Sequence, residues 1–226
     1  MKLTAILLAM LFVAVGVAAQ EPECPVCLRI PKVDAAAGSR AVAWPERPLL
    51  DGLSDARDGK SADSTRVWLG YDDERLYFRF EVCDTTLHIT PADNEKEVGG
   101  LDRAELFFSV DEKMSRYYSA EMSPYNVLDY SGRYYRHCDE SWNFGTLEYG
   151  SQVTGRGYSI EGSVELSELE SLGILSPDGH MRLGIFRGDR IGAGKPFGWY
   201  SWIKAGTSRP DFHIPASQGM AVLVDF

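Results

Sequence analysis

Leu76-Tyr-Phe-Arg-Phe-Glu-Val82 carries the clearest structural signal in the chain, because its large apolar side chains recur at every second position. Leu76, Phe78, Phe80 and Val82 point one way, and Tyr77, Arg79 and Glu81 point the other. That alternation is what a half-buried strand needs. A second run, Arg66-Val-Trp-Leu-Gly-Tyr71, lies just upstream, and Asp72-Asp-Glu-Arg75 joins the two as a tight hairpin. Further strand candidates follow at 104–110, 117–122, 127–135, 145–154, 158–164, 181–187, 198–203 and 220–226, separated by clusters of Gly, Pro, Asn or Asp. Strands at this spacing without long helical segments specify an all-β chain. The expected architecture is an antiparallel β-sandwich of two sheets, jelly-roll or immunoglobulin-like. One short helix is expected at Ser167-Glu-Leu-Glu170, which has the form of a capping box, with Gly173 ending it.

The first residues read as a secretory signal: Lys2 supplies a positive start, Ala5 to Val17 is apolar, and Val17 and Ala19 suit cleavage before Gln20. The apolar run is shorter than the roughly 20 residues a spanning helix needs, so a cleaved, non-membrane-spanning product is expected in the periplasm or outside the cell. The organisation is then a signal peptide (1–19), a loosely packed lead-in rich in Pro, Ala and charge (20–47) and one sandwich domain (48–226). With 33 acidic against 23 basic side chains the net charge is −10. Such a surface repels phosphate backbones and anionic lipid, which excludes nucleic acid as a partner and favours neutral or cationic ligands. Cys24, Cys27, Cys83 and Cys138 are an even set in an exported chain and are candidates for disulfides, with three possible pairings.

Several stretches together resemble the family 9 carbohydrate-binding modules, within the wider DOMON-like sandwich group. They are Pro48-Leu-Leu-Asp-Gly-Leu-Ser-Asp55, Val67 through Phe80, Leu101-Asp-Arg-Ala-Glu-Leu-Phe-Phe108, Gly157-Tyr-Ser-Ile-Glu-Gly-Ser-Val164, and the closing Ser201-Trp202 and Pro210-Asp-Phe-His-Ile-Pro215. The resemblance covers residues 48–226 and implies non-catalytic carbohydrate binding by a stand-alone module. It also implies a role in polysaccharide or oligosaccharide catabolism beside glycan-degrading enzymes, no required cofactor, and often a structural calcium ion. Sugar is clamped between aromatic faces in such modules, because a ring buries the C–H face of a pyranose while planar charged groups bond its hydroxyls. Carried over by position, Glu105 matches the family's sugar-contacting glutamate and Phe212 its second clamp aromatic. Where the first clamp aromatic is expected, this chain has Gly99-Gly100.

Other residues are candidates on their own chemistry. Arg103 can donate paired bonds to adjacent hydroxyls. Glu121, on the 117–122 strand, can face the same cavity as Glu105. Trp202 can stack on a sugar; alternation puts it with Tyr200 and sets Trp199 on the opposite face. His213 beside Phe212 can bond a hydroxyl. Asp51 and Asp55, with Asp58 near, can gather carboxylates round calcium. Two other functions compete. A glycoside hydrolase would use a carboxylate pair drawn from Glu105, Glu121 and Glu161, although no residue among them is marked as a proton donor. A haem-binding electron carrier would need Met122 facing the same pocket as His137 or His213.

Overall fold

A computed structural model describes residues 27–35, 42–60, 62–91, 95–192, 195 and 197–225. The expected signal segment and Cys24 lie outside these residues. Among the described residues, thirteen strands form one continuous hydrogen-bonded sheet: β1 (Cys27–Pro31), β2 (Leu50–Asp55), β3 (Ala62–Tyr71), β4 (Arg75–Cys83), β5 (Arg103–Ser109), β6 (Tyr117–Met122), β7 (Val127–Arg133), β8 (His137–Asp139), β9 (Glu148–Thr154), β10 (Gly157–Glu165), β11 (His180–Asp189), β12 (Gly198–Ser201) and β13 (Gly219–Val224). The order is β8-β7-β6-β5-β11-β12-β2-β3-β4-β10-β9, and every pairing is antiparallel except that of β1 with β13. β11 is where the layers join. Its first half pairs with β13 and its second half with β12, while its other edge carries β5.

The apolar faces of the two layers meet in the main core. Leu76, Phe78, Phe80 and Val82 of β4 are all buried there, as the alternation predicts, against Leu106 and Phe108 of β5 and Tyr118, Ala120 and Met122 of β6. Burying each such side chain stabilises the fold by about 1.5–3 kcal/mol. The hairpin between β3 and β4 forms with Tyr71 opposite Leu76. Asp72 closes it by accepting bonds from the backbone N–H groups of Glu74 (2.9 Å) and Arg75 (2.8 Å).

Three expectations are corrected. The lead-in is not loose throughout, because β1 pairs in register with β13 and buries Leu28 and Ile30. A five-residue strand ending at Pro31 is too short to show periodicity. Leu50–Asp55, left out of the expected strands, is strand β2, bulged between Asp51 and Leu53. The capping box does not form: α1 runs Leu166–Ser171 with Glu165 at its N-cap. Glu168 instead accepts the backbone N–H groups of Gly145 (2.7 Å) and Thr146 (2.9 Å), tying the helix to the loop before β9. Gly173 does end the helix, with φ 73°.

β5 departs from half-burial. All seven of its residues are buried, because a second apolar cluster covers the outer face of its layer. Phe107, Tyr117, Tyr130 and Phe186 supply that cluster from β5, β6, β7 and β11, and Phe212 caps it from the loop before β13. Phe212 stacks on Phe186 with centroids 4.0 Å apart. Gly132 lets Tyr117 lie close under β7, since a Cβ there would sit 2.2 Å from the tyrosine ring. The returning loop does not seal this face completely, and a cavity remains beside it.

Candidate binding cavity on the outer face of the sheet

The cavity has a volume of about 320 Å³, at the small end of the range for ligand sites. Arg103, Glu105, Glu121 and Tyr130 form its floor, Trp199, Phe212 and His213 its wall, and Arg136, Glu140 and Asp211 its rim. Strand alternation explains the floor. Arg103 and Glu105 share the face of β5 opposite Ala104 and Leu106, and Glu121 lies directly across from Glu105 on β6.

Arg103 sits between the two glutamates, with Nε 2.7 Å from Glu121 Oε2 and 2.9 Å from Glu105 Oε1. Its Nη1 donates to the carbonyls of Gly99 (3.1 Å) and Leu101 (3.2 Å), which fixes the turn where the family places an aromatic. The guanidinium lies 5.4 Å from the ring centroid of Trp199 and 5.8 Å from that of Phe197, so the floor's cation also orients the wall. Tyr130 donates its hydroxyl to Glu121 Oε1 at 2.9 Å. Glu121 is thus bonded at both oxygens, whereas Glu105 Oε1 accepts no hydrogen bond among the described residues.

Burial pushes the Glu105 carboxyl up to about 8 against Arg103, which pulls it down, and Glu121 adds to the rise. Burial also holds His213 down at about 4, leaving its ring uncharged with Nδ1 2.8 Å from the Tyr117 hydroxyl. These two groups give opposite pH slopes. Glu105 keeps in the fold a proton that it loses near 4.5 when free, so stability falls as pH rises towards 8. His213 resists a proton that it takes near 6.5 when free, so stability falls as pH drops from there towards 4. The window between 6.5 and 8 therefore belongs to Glu105. Urea unfolding should show stability declining across that window in the wild type, and Glu105→Gln should flatten the decline.

Five of the six residues singled out as ligand contacts converge here: Glu105, Phe212, Glu121, Arg103 and His213. Phe212 arrives in a different form from that expected, since stacking on Phe186 buries it and makes it wall rather than an open platform. Trp202 is not brought to the cavity. It packs half-buried on the main core, across Gly219, on the face of the chain opposite Trp199. Trp199 is a wall residue that sequence reasoning does not single out. Its alternation away from Tyr200 and Trp202 is the available signal, because it points to the outer face.

The competing sites do not assemble. Glu161 pairs with Arg79 at 2.6 Å on the other layer, away from Glu105 and Glu121. Met122 faces the main core, His213 faces the outer cluster and His137 is exposed, so Met122 shares a pocket with neither histidine. Asp51 is exposed, and Asp55 is bonded by Arg57 through its backbone N–H (2.7 Å) and Nη2 (2.8 Å), so these two offer no open donor set for calcium. A different carboxylate group lies behind Asp102. One ligand oxygen each from Asp84, Asp102 and Asp189 lies within 4.8 Å of the others. Arg187 serves this group, reaching Asp63 and Asp84 at 2.6 Å each. Asp102 accepts the backbone N–H groups of His88 and Arg190, both at 2.6 Å. Cys83 and Cys138 are exposed and unbridged among the described residues.

A two-layer sandwich with a ligand cavity under one outer face, floored by charged groups and walled by aromatic rings, is the construction of a small-molecule binding module. Residues 38–225 match the family described as carbohydrate family 9 binding domain-like, and the chain belongs to that family. Among solved structures it is similar to a putative carbohydrate-binding protein from Bacteroides uniformis, with a TM-score of 0.67 and 16% identity over 88% of this chain and 99% of that one. It is also similar to a family 9 carbohydrate-binding module from Caldicellulosiruptor kristjanssonii in complex with cellotriose, with a TM-score of 0.62 and 14% identity over 89% of this chain and 95% of that one. A structure from the same organism, a family 9 module in complex with glucose, gives a TM-score of 0.52 and 16% identity over 88% and 96% of the two chains. No curated protein matches the sequence. No helix among the described residues is long and apolar enough to cross a membrane.

Proposed function

We propose that this protein binds a sugar residue in the cavity between Trp199 and the Arg103–Glu105–Glu121 floor, and does so without cleaving it. The observation that carries the reading is an aromatic wall set over buried planar charged groups, which matches a pyranose with its apolar faces and hydroxyl rim. Family membership, and the cellotriose and glucose held by two of the similar structures, support the same ligand class. Gly99 lines the cavity without a ring of its own, and a Cβ there would meet nothing within 4 Å. The ring is therefore held on one aromatic face rather than clamped between two.

The arrangement of the carboxylates supports binding over hydrolysis. Glu105 and Glu121 are cross-strand neighbours sharing one arginine nitrogen, so both lie on the same side of any bound sugar. Glycosidases place theirs on opposite sides of the scissile bond. Export to the periplasm or beyond, with a role in polysaccharide breakdown beside glycan-degrading enzymes, rests on the apolar N-terminal segment and the family. A structural calcium, implied by the family, is assigned to Asp84, Asp102 and Asp189 rather than to Asp51 and Asp55, in competition with Arg187, which holds Asp84 at 2.6 Å. The spacing of those three oxygens suits ligands held at the roughly 2.3–2.6 Å typical of calcium.

Trp199→Ala tests the sugar site. Stacking on one aromatic ring is worth about 1–3 kcal/mol by analogy with bases, so calorimetric titration with glucose or cello-oligosaccharides should show affinity falling about tenfold or more. The main core does not include Trp199, so the variant should remain folded. Unchanged affinity would move the site elsewhere.

A further inference from the structure

The floor of the cavity has one carboxylate more than its cation can satisfy. Glu105 and Glu121 stand directly opposite each other on β5 and β6, a position in which like charges repel. Arg103 lies between them, but its Nε–H is aligned on Glu121 Oε2, and Tyr130 takes the other oxygen of Glu121. Glu105 Oε1 is close to the guanidinium yet accepts no hydrogen bond from any described residue. Glu105 is only 1% exposed and lines the cavity. At the rim, Arg136 is matched by Asp211 at 3.0 Å. Among the described residues of the floor, one cation thus stands against two carboxyl groups, and the buried imidazole of His213 contributes no charge.

We propose that the cavity selects a sugar residue bearing a protonated amino group, a hexosamine unit whose free ammonium docks on Glu105. This rests on the sugar-binding reading above and narrows it. An ammonium brings three N–H donors to an oxygen that accepts no hydrogen bond from the described residues. Its bond to a carboxylate is charge-assisted, which makes it stronger than one from a hydroxyl. A neutral sugar can fill the space but brings no charge with which Glu105 could pair on ionising. A uronic acid or sulfated sugar meets Glu121 and Glu140 with the wrong sign. The net charge of −10 on the whole chain favours the same cationic ligands at longer range.

Proton balance provides a signature. In the free protein Glu105 is protonated at neutral pH, its carboxyl standing at about 8. Docking the ammonium converts that carboxylic acid to a carboxylate and releases its proton to solvent; no covalent bond of the sugar changes. The other ionisable groups facing Glu105 are Arg103 on its own strand, Glu121 on β6 and Tyr130 on β7, which bond one another.

The experiment is calorimetric titration of the protein with glucosamine, N-acetylglucosamine and glucose at about pH 6.5, where a sugar amine is charged, in two buffers of different ionisation enthalpy. Glucosamine should bind about tenfold or more tighter than either neutral sugar, the factor expected for hydrogen bonds to a charged group. Its apparent enthalpy should differ between the buffers by one released proton, and that of glucose should not. In Glu105→Gln the ratio of glucosamine to glucose affinity should fall to about one. The buffer comparison is made on the wild type and needs no variant to fold. Equal or tighter binding of glucose, or no proton release with glucosamine, would overturn the amine preference and leave sugar binding intact. If no sugar of the three binds and cello-oligosaccharides fail as well, the sugar-binding reading falls and this inference with it.

Discussion

Arg187→Leu should destabilise the protein by about 3–5 kcal/mol at neutral pH, the range for removing one partner from a buried ion pair. Arg187 is 2% exposed and binds two buried or half-buried aspartates, Asp63 through Nη1 and Asp84 through Nη2, with Asp189 3.6 Å away. Leucine would fill most of the volume but strand these carboxylates beside Asp102, whose carboxyl burial already pushes up. Burial likewise holds Asp189 at about 6 even with the arginine present to oppose it. Without the arginine Asp102 and Asp189 rise further, and groups raised in the fold give stability in acid that is lost as pH climbs. Urea unfolding should therefore show a deficit that shrinks towards pH 5 and widens towards pH 8, values flanking the ordinary and raised carboxylate ranges by about one unit. Arg187→Lys should recover only part of the loss, because a single ammonium cannot reproduce a planar fork that reaches Asp63 and Asp84 together. Added calcium should restore some stability to Arg187→Leu, since the assigned seat at Asp84, Asp102 and Asp189 then has no competing cation. A variant as stable as wild type would mean that the group is hydrated and that Arg187 does not organise this end of the sandwich.

How much of this fold is legible in the amino-acid sequence depends on how local each signal is. Period-two alternation in β4 and in the β3–β4 hairpin depends only on neighbouring side chains, so Phe78 and Phe80 are placed inward by the sequence alone. β6 is delimited to its ends, Tyr117–Met122, for the same reason. Glu105, Glu121 and Arg103 are legible as a group because two are on one strand and the third is on the next. What the sequence does not disclose is the second cover on the outer face. It depends on a loop that folds back across four strands to put Phe212 on Phe186 and Trp199 against Phe212, at 5.5 Å. Nothing local to Pro210-Asp-Phe-His distinguishes a ring that will be buried from one that will be exposed. The carboxylate group round Arg187 escapes a sequence reading for a similar reason. Its members come from β3, the loop after β4, the start of β5 and the end of β11, and Asp63, Asp84, Asp102 and Asp189 share no spacing that a motif captures. Asp51 and Asp55 are close in sequence and resemble a metal loop, but Arg57 two residues on claims Asp55.

Arg103→Met should act on stability and ligand affinity at once. Methionine retains the length and apolar contact of the side chain under Trp199 but removes the charge. Glu105 and Glu121 then face each other across adjacent strands with no cation between them, and the carbonyls of Gly99 and Leu101 lose their donor. The expected loss is again about 3–5 kcal/mol at pH 8, because two buried carboxyls cannot both ionise there. Burial raises Glu105 above 4.5 even with the arginine present, so the deficit should close as pH falls through the carboxylate range. Sugar affinity should fall by about tenfold or more even at low pH, where the variant is folded, because the donor that positions Glu121 and the cation that orients Trp199 are both gone. The double variant Arg103→Met with Glu105→Gln separates the two effects. Removing the excess carboxyl should return a large part of the stability, making the pair strongly non-additive as contacting groups are. It should not return binding, since the floor still lacks its cation. Full recovery of both would mean that Arg103 serves only to neutralise Glu105 and that the sugar is held by the wall alone.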